Sequence, residues 1–168
     1  MRPRNPLPDS SDVLLSSGAF GLWCVCGCLR LAGVLTTPTV DLQALGPGFE
    51  QFWTERHLCT MSTVRRDGTV HVTPVGVTLD LSAGLARVIC SRTSHKARQI
   101  LARPGSAVAV CQMDGRRWST LEGRAIVVSD PERVADAERR YEERYRKPRV
   151  NPQRVVIEIS ITKVLGNA

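Results

Sequence analysis

The sequence lacks the signatures of several large enzyme classes. Its 168 residues contain no G-x-S-x-G nucleophile elbow, no G-x-G-x-x-G dinucleotide loop, no phosphate-binding P-loop and no H-E-x-x-H zinc motif. The three histidines, His57, His71 and His95, have no evident serine or cysteine partner for a catalytic triad. No catalytic side chain is therefore predicted, and a bound cofactor has to supply the reactivity.

Aromatic residues and lysine are also scarce. Aromatics make up 5% of the chain, and only three of its 23 basic residues are lysines (Lys96, Lys147 and Lys163). So few aromatics do not build a base-stacking platform, and neither helix-turn-helix nor zinc-finger spacing is present, which argues against nucleic-acid binding. The formal net charge of +7 by itself favours anionic partners, phosphorylated cofactors as well as nucleic acid.

The six cysteines do not form a disulfide framework. Cys59, Cys90 and Cys111 stand singly inside apolar runs, where cysteine behaves as a small core residue. The C-x-C-x-C over residues 24–28 lacks the second pair that a zinc site needs, so no metal is predicted. This usage fits a reducing compartment, and a cytoplasmic location is expected.

Residues 1–35 differ from the rest of the chain. A polar, proline-punctuated start is followed by an almost uninterrupted apolar run over residues 13–35, which is broken by Arg30. A membrane helix and a secretory signal are weak interpretations, because Arg30 and the glycines oppose the first and no clear cleavage site supports the second. We favour a mis-called start, with Val34 as an alternative initiation codon, and do not expect membrane association.

Residues 36–168 are expected to form one domain built mainly from hairpins. Tight turns are predicted at Asp67-Gly68 and Asp114-Gly115, and Pro74 indicates an edge or a bulge. The predicted elements are a helix over 41–56 interrupted at 46–48, strands over 58–64, 69–79 and 85–90, a helix to 103, strands over 106–112 and 117–128, a helix over 131–146 and a strand over 155–164. This order predicts a mainly β (α+β) fold, an antiparallel barrel with peripheral helices.

One basic, hydroxyl-rich heptad, residues 92–98, opens the second predicted helix. A helix N-terminus offers free backbone N–H groups and partial positive charge, to which this heptad adds hydroxyls and cations, the chemistry of a phosphate or carboxylate site. The alternative is an ordinary helix that Ser94 caps, with solvated arginine and lysine side chains beside it.

Taken together, these residues resemble the pyridoxamine-phosphate-oxidase-like split β-barrel family. Within that family, the chain is most similar to the branch that uses the deazaflavin coenzyme F420, and to its biliverdin reductases. The resemblance covers residues 36–168. It is carried by the stretches 55–58, 71–76, 92–97, 114–118, 121–125 and 144–158.

The resemblance implies an FMN-binding type of split β-barrel and a set of cofactor contacts. A return strand would lie along the deazaflavin ring through the backbone of His71, Val72, Thr73, Pro74, Val75 and Gly76. The ribityl phosphate would be held by Arg92, Thr93, Ser94, Lys96 and Ala97, with Lys96 as the main charge partner and His95 in a secondary role. Trp118 and its neighbour Arg117 would approach from the second subunit of a homodimer, and Arg149 would belong to a wall over residues 144–154.

The resemblance further implies an oxidoreductase that uses reduced coenzyme F420 to reduce a tetrapyrrole, biliverdin, to bilirubin. Two alternatives remain open. The first is an FMN-binding enzyme of the same fold, and the second is a binder of cofactor or tetrapyrrole without turnover. Coenzyme F420 carries an acidic tail that FMN lacks, so the arginine-rich stretch over 144–154 favours the deazaflavin.

Overall fold

The structure, a computed structural model, describes residues 40–168. The predicted extension over 1–35, with its cysteine cluster, lies outside the described residues. A 3₁₀ turn at Gln43–Leu45 comes first, and the helices are α1 (Pro47–Thr54), α2 (His95–Ala102) and α3 (Pro131–Arg144). The strands are β1 (Cys59–Val64), β2 (Val70–Val75), β3 (Thr78–Asp80), β4 (Leu85–Ser91), β5 (Ser106–Asp114), β6 (Arg117–Val128) and β7 (Arg154–Gly166).

All seven strands belong to one antiparallel sheet in the order β2-β1-β5-β6-β7-β4-β3. Its edges, β2 and β3, are separated in the chain by Gly76 and Val77 alone. A flat sheet of seven strands would hold its edges about 29 Å apart, whereas the three Cα steps from Val75 to Thr78 reach about 11 Å. The sheet therefore curls into a barrel that is split between β2 and β3, which confirms the predicted mainly β, antiparallel fold.

The single return strand predicted over 69–79 is wrong. It consists of two strands, because β2 pairs with β1 whereas β3 pairs with β4 on the other side of the split. Gly76 stands at the division, where a Cβ would lie 2.5 Å from a ring carbon of Tyr141. The edge position expected from Pro74 is confirmed, since β2 ends the sheet and a missing N–H costs no ladder bond there.

The first helix also differs from its prediction. Pro47 and Gly48 begin α1 rather than interrupt it. Proline is well tolerated at the first helical position, because its N–H would have no partner there in any case. The preceding Gly46 has φ 86°, a left-handed conformation that turns the chain from the 3₁₀ turn into α1.

The core lies inside the barrel and under α1. Phe52 and Trp53 of α1 pack with alternate residues of the strands, Met61 of β1 among them. Strand β7 departs from alternation, with five consecutive buried residues over 155–159. Both of its faces are covered, because its odd-numbered residues face the core whereas Val156 packs against Ala137 of α3.

Helix α3 is polar over most of its surface. Its N-cap, Asp130, accepts a hydrogen bond from the backbone N–H of Arg133. Arg139 and Arg140 pair with Asp136 at spacings of three and four, which confirms the intrahelical ion pairs that the spacing predicts. None of the helices within residues 40–168 is long and apolar enough to cross a membrane.

Candidate functional site

A cleft of about 300 Å³ opens beside the split of the barrel. The segment over residues 146–152, here called the strap, forms one wall, and the end of β2 forms another. The lining residues are Pro74, Val75, Gly76, Ile89, Lys96, Tyr141, Arg146, Lys147, Pro148, Arg149 and Arg154. The fold thus brings together three separate predicted segments: the return strand, the heptad and the arginine-rich stretch.

Positive charge dominates this cleft, which we call the cationic cleft. Five of its lining residues are lysine or arginine, and none of the described residues that line it is acidic. Arg154 alone among the five has an ion-pair partner within residues 40–168, with its Nε 2.8 Å from Glu138 Oε1. The other four cations are available to an anionic ligand, and an anion would relieve their mutual repulsion.

A larger cleft of about 640 Å³ lies between α1 and β3, but its charges are differently arranged. Its arginine, Arg140, is paired with Asp80, with 3.2 Å between Nη2 and Oδ2. That cleft therefore does not offer free positive charge, and we place the anion site in the smaller one.

The heptad combines a helix cap with a basic side chain in the cationic cleft. Ser94 is the N-cap of α2, and its Oγ accepts a hydrogen bond of 3.4 Å from the backbone N–H of Ala97. Lys96, two residues later, lines the cationic cleft. The backbone N–H of Arg92 donates to Gln153 O at 2.8 Å, which joins the heptad to the foot of the strap. The Oγ1 of Thr93 lies 3.0 Å from Ser91 Oγ.

The return strand divides its predicted contacts between two faces of the sheet. Val72 and Pro74 lie on the outward face, whereas His71 and Thr73 lie on the inward one, opposite Thr63 and Met61. The residues of this strand segment that line the cleft are Pro74, Val75 and Gly76. Contact of the whole stretch from His71 with a cofactor ring stays a prediction.

His71 and His95 pack against each other at the start of α2, with their ring planes tilted by 42°. Their ring centroids are 5.9 Å apart. The Nδ1 of His71 is buried and has no hydrogen-bond partner within residues 40–168. Burial and neighbouring positive charges lower the pKa of His71, so the neutral ring adds no charge to the anion site at neutral pH.

Arg117 and Trp118 lie at the β5–β6 turn. Arg117 donates to Glu55, with 2.9 Å to Oε2, and to Asp114, with 2.5 Å to Oδ2. These hydrogen bonds lower the pKa of both carboxyl groups. His57 lies beside the two acids, with ligand-type atoms of all three residues within 4.8 Å of one another. The guanidinium of Arg117 supplies positive charge to both carboxylates.

One outward face of the sheet exposes apolar side chains. Val70 and Val72 of β2 are 58% and 57% exposed, and Met113 and Trp118, a cross-strand pair, are 69% and 40% exposed. Val70 lies opposite Val64, which is 41% exposed, and Pro74 belongs to the same face of β2. Such a patch is typical of a protein interface.

Sequence reasoning misplaced Arg144 and missed Gln112. Arg144 was expected in the wall that faces the ligand, but it donates to the backbone carbonyl oxygens of Glu55 and Val77 and to Gln112 Oε1. Burial lowers its pKa. Gln112 is fully buried and donates from Nε2 to Phe52 O at 2.6 Å. Its position on the inward face of β5, among valines, was the available signal of a buried polar group.

Comparison with known proteins agrees with this geometry. The family described as pyridoxamine 5'-phosphate oxidase matches residues 45–168. A biliverdin reductase dependent on reduced coenzyme F420, from Mycobacterium tuberculosis (strain CDC 1551 / Oshkosh), is 49% identical over 138 residues. That match covers 82% of this chain and 96% of the relative.

Solved structures share the fold. An F420 reductase superposes with a TM-score of 0.59 at 26% identity, covering 71% of this chain and 98% of the other. A conserved hypothetical protein from Mycobacterium tuberculosis gives 0.61 at 22% identity, with coverage of 71% and 81%. A putative pyridoxamine 5'-phosphate oxidase from Listeria innocua gives 0.57 at 14% identity, with coverage of 71% and 94%.

Proposed function

The chain belongs to the pyridoxamine 5'-phosphate oxidase family, and from this membership we propose that it is an oxidoreductase that uses reduced coenzyme F420 to reduce biliverdin to bilirubin. The observation that carries the proposal is the 49% identity, over 82% of the chain, to a biliverdin reductase of that cofactor dependence. The cationic cleft supplies the physical support, because it matches the charge of the cofactor.

The chemistry of the cleft fits coenzyme F420. This cofactor carries a phosphate and an acidic glutamate tail, and the described side chains that carry charge in the cleft are all cations. Lys96, beside the N-terminus of α2, would hold the ribityl phosphate. Arg146, Lys147 and Arg149 of the strap would face the acidic tail. FMN has a phosphate but no such tail, so it leaves the strap cations without a partner.

The residues of this chain bind and orient rather than react. When bound, reduced coenzyme F420 supplies a hydride to a conjugated double bond of the tetrapyrrole. Pro74, Val75 and Gly76 form the wall against which the ring would lie, and Gly76 keeps that wall free of a side chain. No residue is assigned as an obligatory general acid, and the proton that completes the reduction would come from water or from the surroundings of the bound substrate.

Arginine suits the substrate as well as the cofactor. Biliverdin carries two propionates, and a guanidinium pairs with a carboxylate through two parallel hydrogen bonds. Arg146 and Arg149 lie on the strap at the edge of the cleft and have no ion-pair partner within residues 40–168. Whichever of these two arginines does not contact the acidic tail of the cofactor would bind a propionate of biliverdin.

The protein would act as a cytoplasmic homodimer with a site at each end of the interface. The exposed apolar face supports this, because Val72 and Pro74 share it with Met113 and Trp118. A second copy that covers the face would bring its own Trp118, with Arg117, towards the β2 wall of the cleft. Three free cysteines within residues 40–168, Cys59, Cys90 and Cys111, are consistent with a reducing compartment.

Mixing the purified protein with reduced coenzyme F420 and biliverdin tests the proposal. We expect the biliverdin absorbance to disappear while the cofactor is oxidised in equal amount, and neither change to occur without protein. Reduced FMN in place of the deazaflavin serves as the matched control and should support little turnover. Tight binding of both ligands without any spectral change would contradict the enzyme and favour a carrier.

A further inference from the structure

The C-terminal end of α3 is fastened to three distant parts of the chain. Arg144 donates to Glu55 O at 2.8 Å through Nη2, to Val77 O at 2.6 Å through Nη1, and to Gln112 Oε1 at 2.6 Å. Its guanidinium also lies 5.2 Å from the ring centroid of Tyr145. Side-chain donors thus satisfy backbone carbonyls at the end of α1 and at the split of the barrel.

Tyr145 completes this junction. Its hydroxyl donates to His57 O at 2.8 Å and accepts from the backbone N–H of Val77 at 3.1 Å. Burial raises the pKa of Tyr145 to about 12, so the hydroxyl keeps its proton at physiological pH. Both backbone polar groups of Val77 are therefore bound by consecutive residues at the end of α3.

The junction is adjacent in sequence to both walls of the cationic cleft. Val77 directly follows the wall formed by Pro74, Val75 and Gly76, and Tyr145 directly precedes the strap. The β2 wall also packs against the C-terminal end of α3, since a Cβ on Gly76 would lie 2.5 Å from a ring carbon of Tyr141 and 3.1 Å from one of Tyr145. A shift at the junction therefore changes the width of the cleft.

We propose that Arg144 and Tyr145 are positioning residues, which set the spacing between the β2 wall and the strap and thereby the affinity for the anionic cofactor. They act through hydrogen bonds to backbone atoms and to Gln112, and neither lines the cleft. The inference rests on the proposed function for the identity of that ligand, coenzyme F420.

The C-terminal end of the strap is held by other hydrogen bonds, so the effect of the junction can be tested separately from theirs. Arg154 donates from Nη2 to Arg149 O at 2.6 Å, and Gln153 O accepts from the backbone N–H of Arg92 at 2.8 Å. Loosening the junction alone leaves these contacts in place. The strap would then shift rather than unfold, which weakens binding more than it lowers stability.

Tyr145→Phe is the sharpest test, because it removes only the hydroxyl and keeps the ring beside Gly76. Titration of coenzyme F420 into the variant should give a Kd about 5- to 20-fold higher than wild type, the range for losing one or two buried hydrogen bonds. The KM for the cofactor should rise in parallel, with kcat within twofold. Arg144→Lys, which keeps the charge but loses the forked contacts, should change Kd in the same direction.

Arg133→Gln is the matched control, since it loosens the N-terminal end of the same helix by breaking the pair with Glu158. It should lower thermal stability about as much as Tyr145→Phe does, but leave the Kd for coenzyme F420 within twofold of the wild-type value. If the wild type binds coenzyme F420 and Tyr145→Phe binds it with the same Kd, the positioning role of the junction is overturned, but the proposed function is not. An equal loss of affinity in Arg133→Gln would also overturn that role. No binding by the wild type would overturn the proposed function and this inference with it.

Discussion

The positively charged residues around α3 fall into two groups. Towards β3, β4 and β7, Arg87, Arg133 and Arg140 are tied to carboxylates of this chain. Across the helix, Arg146 and Arg149 of the strap have no such partner within residues 40–168, although they line a cleft. Among these five arginines, those with an acid of this chain within reach stabilise the fold, whereas those without one are available to a ligand.

Two carboxylates define the paired group. Glu158 is only 4% exposed, and Arg133 contacts both of its oxygens, with Arg87 Nε 3.9 Å from Oε1. Asp80 lies 3.0 Å from Arg87 Nη1 and also pairs with Arg140. This network fastens α3 to the sheet, so its loss should reduce stability and leave the cationic cleft intact.

The largest expected effect is on the paired side. Glu158→Gln should lower the free energy of unfolding by about 3 kcal/mol, because Arg133 loses its one ion-pair partner within residues 40–168 and Arg87 keeps only Asp80. Urea unfolding measures this loss, and titration of the variant with coenzyme F420 should give a Kd within twofold of wild type. A large loss of affinity at unchanged stability would break the division between the two groups.

The cleft should respond in the opposite way. Lys96→Ala is expected to weaken cofactor binding by about 1.5–3 kcal/mol, the range for a charge-assisted hydrogen bond, with stability changed by less than about 0.5 kcal/mol. Equilibrium titration gives the affinity. The matched control is Arg139→Ala, which removes a 59% exposed arginine paired with Asp136 and Glu143 and should not change Kd. Unchanged affinity in Lys96→Ala would contradict the assignment of the anion site.

A smaller, pH-dependent effect belongs to Asp80. Burial alone would raise its pKa, but hydrogen bonds from Ser82, the Ala83 N–H and Arg87 outweigh burial and lower the pKa from 3.8 to about 2. A carboxyl group with a lowered pKa stabilises the fold fully above pH 3.8, and this stabilisation is lost as the pH falls through about 2.

Asp80→Asn should therefore be less stable than wild type by about 2 kcal/mol at neutral pH, with the difference shrinking between about pH 4 and pH 2. Urea unfolding at neutral pH, at pH 4 and at pH 2.5 measures it. A difference that stays constant over this range would show that the ionised carboxylate does not hold the network together.

Local chemistry made most of the fold predictable. The turns at Asp67-Gly68 and Asp114-Gly115 were placed correctly, because each glycine adopts a positive φ that its tight turn requires. The division of β2 from β3 at Gly76 was not predicted. It depends on pairing with strands on opposite sides of the split and on the approach of Tyr141, which no local pattern encodes.

Part of the candidate site was also predictable from the sequence. Lys96 and Arg149 were expected at the cofactor and do line one cleft. Arg144 was expected there too, but its partners, Glu55 and Val77, are 89 and 67 residues away in the chain. Whether an arginine faces a ligand or a backbone carbonyl is decided by such distant contacts, so composition and spacing could not separate Arg144 from Arg149.

The role of the strap is tested by two affinities of the wild-type protein, for coenzyme F420 and for FMN, measured at the same ionic strength. Both ligands carry the phosphate assigned to Lys96, but only coenzyme F420 has carboxylates for the cations of the strap. We predict at least about tenfold tighter binding of coenzyme F420, the equivalent of one further charge-assisted contact, and a gap that narrows as salt is added. Equal affinities, or tighter binding of FMN, would show that the unpaired cations of the strap do not select the deazaflavin.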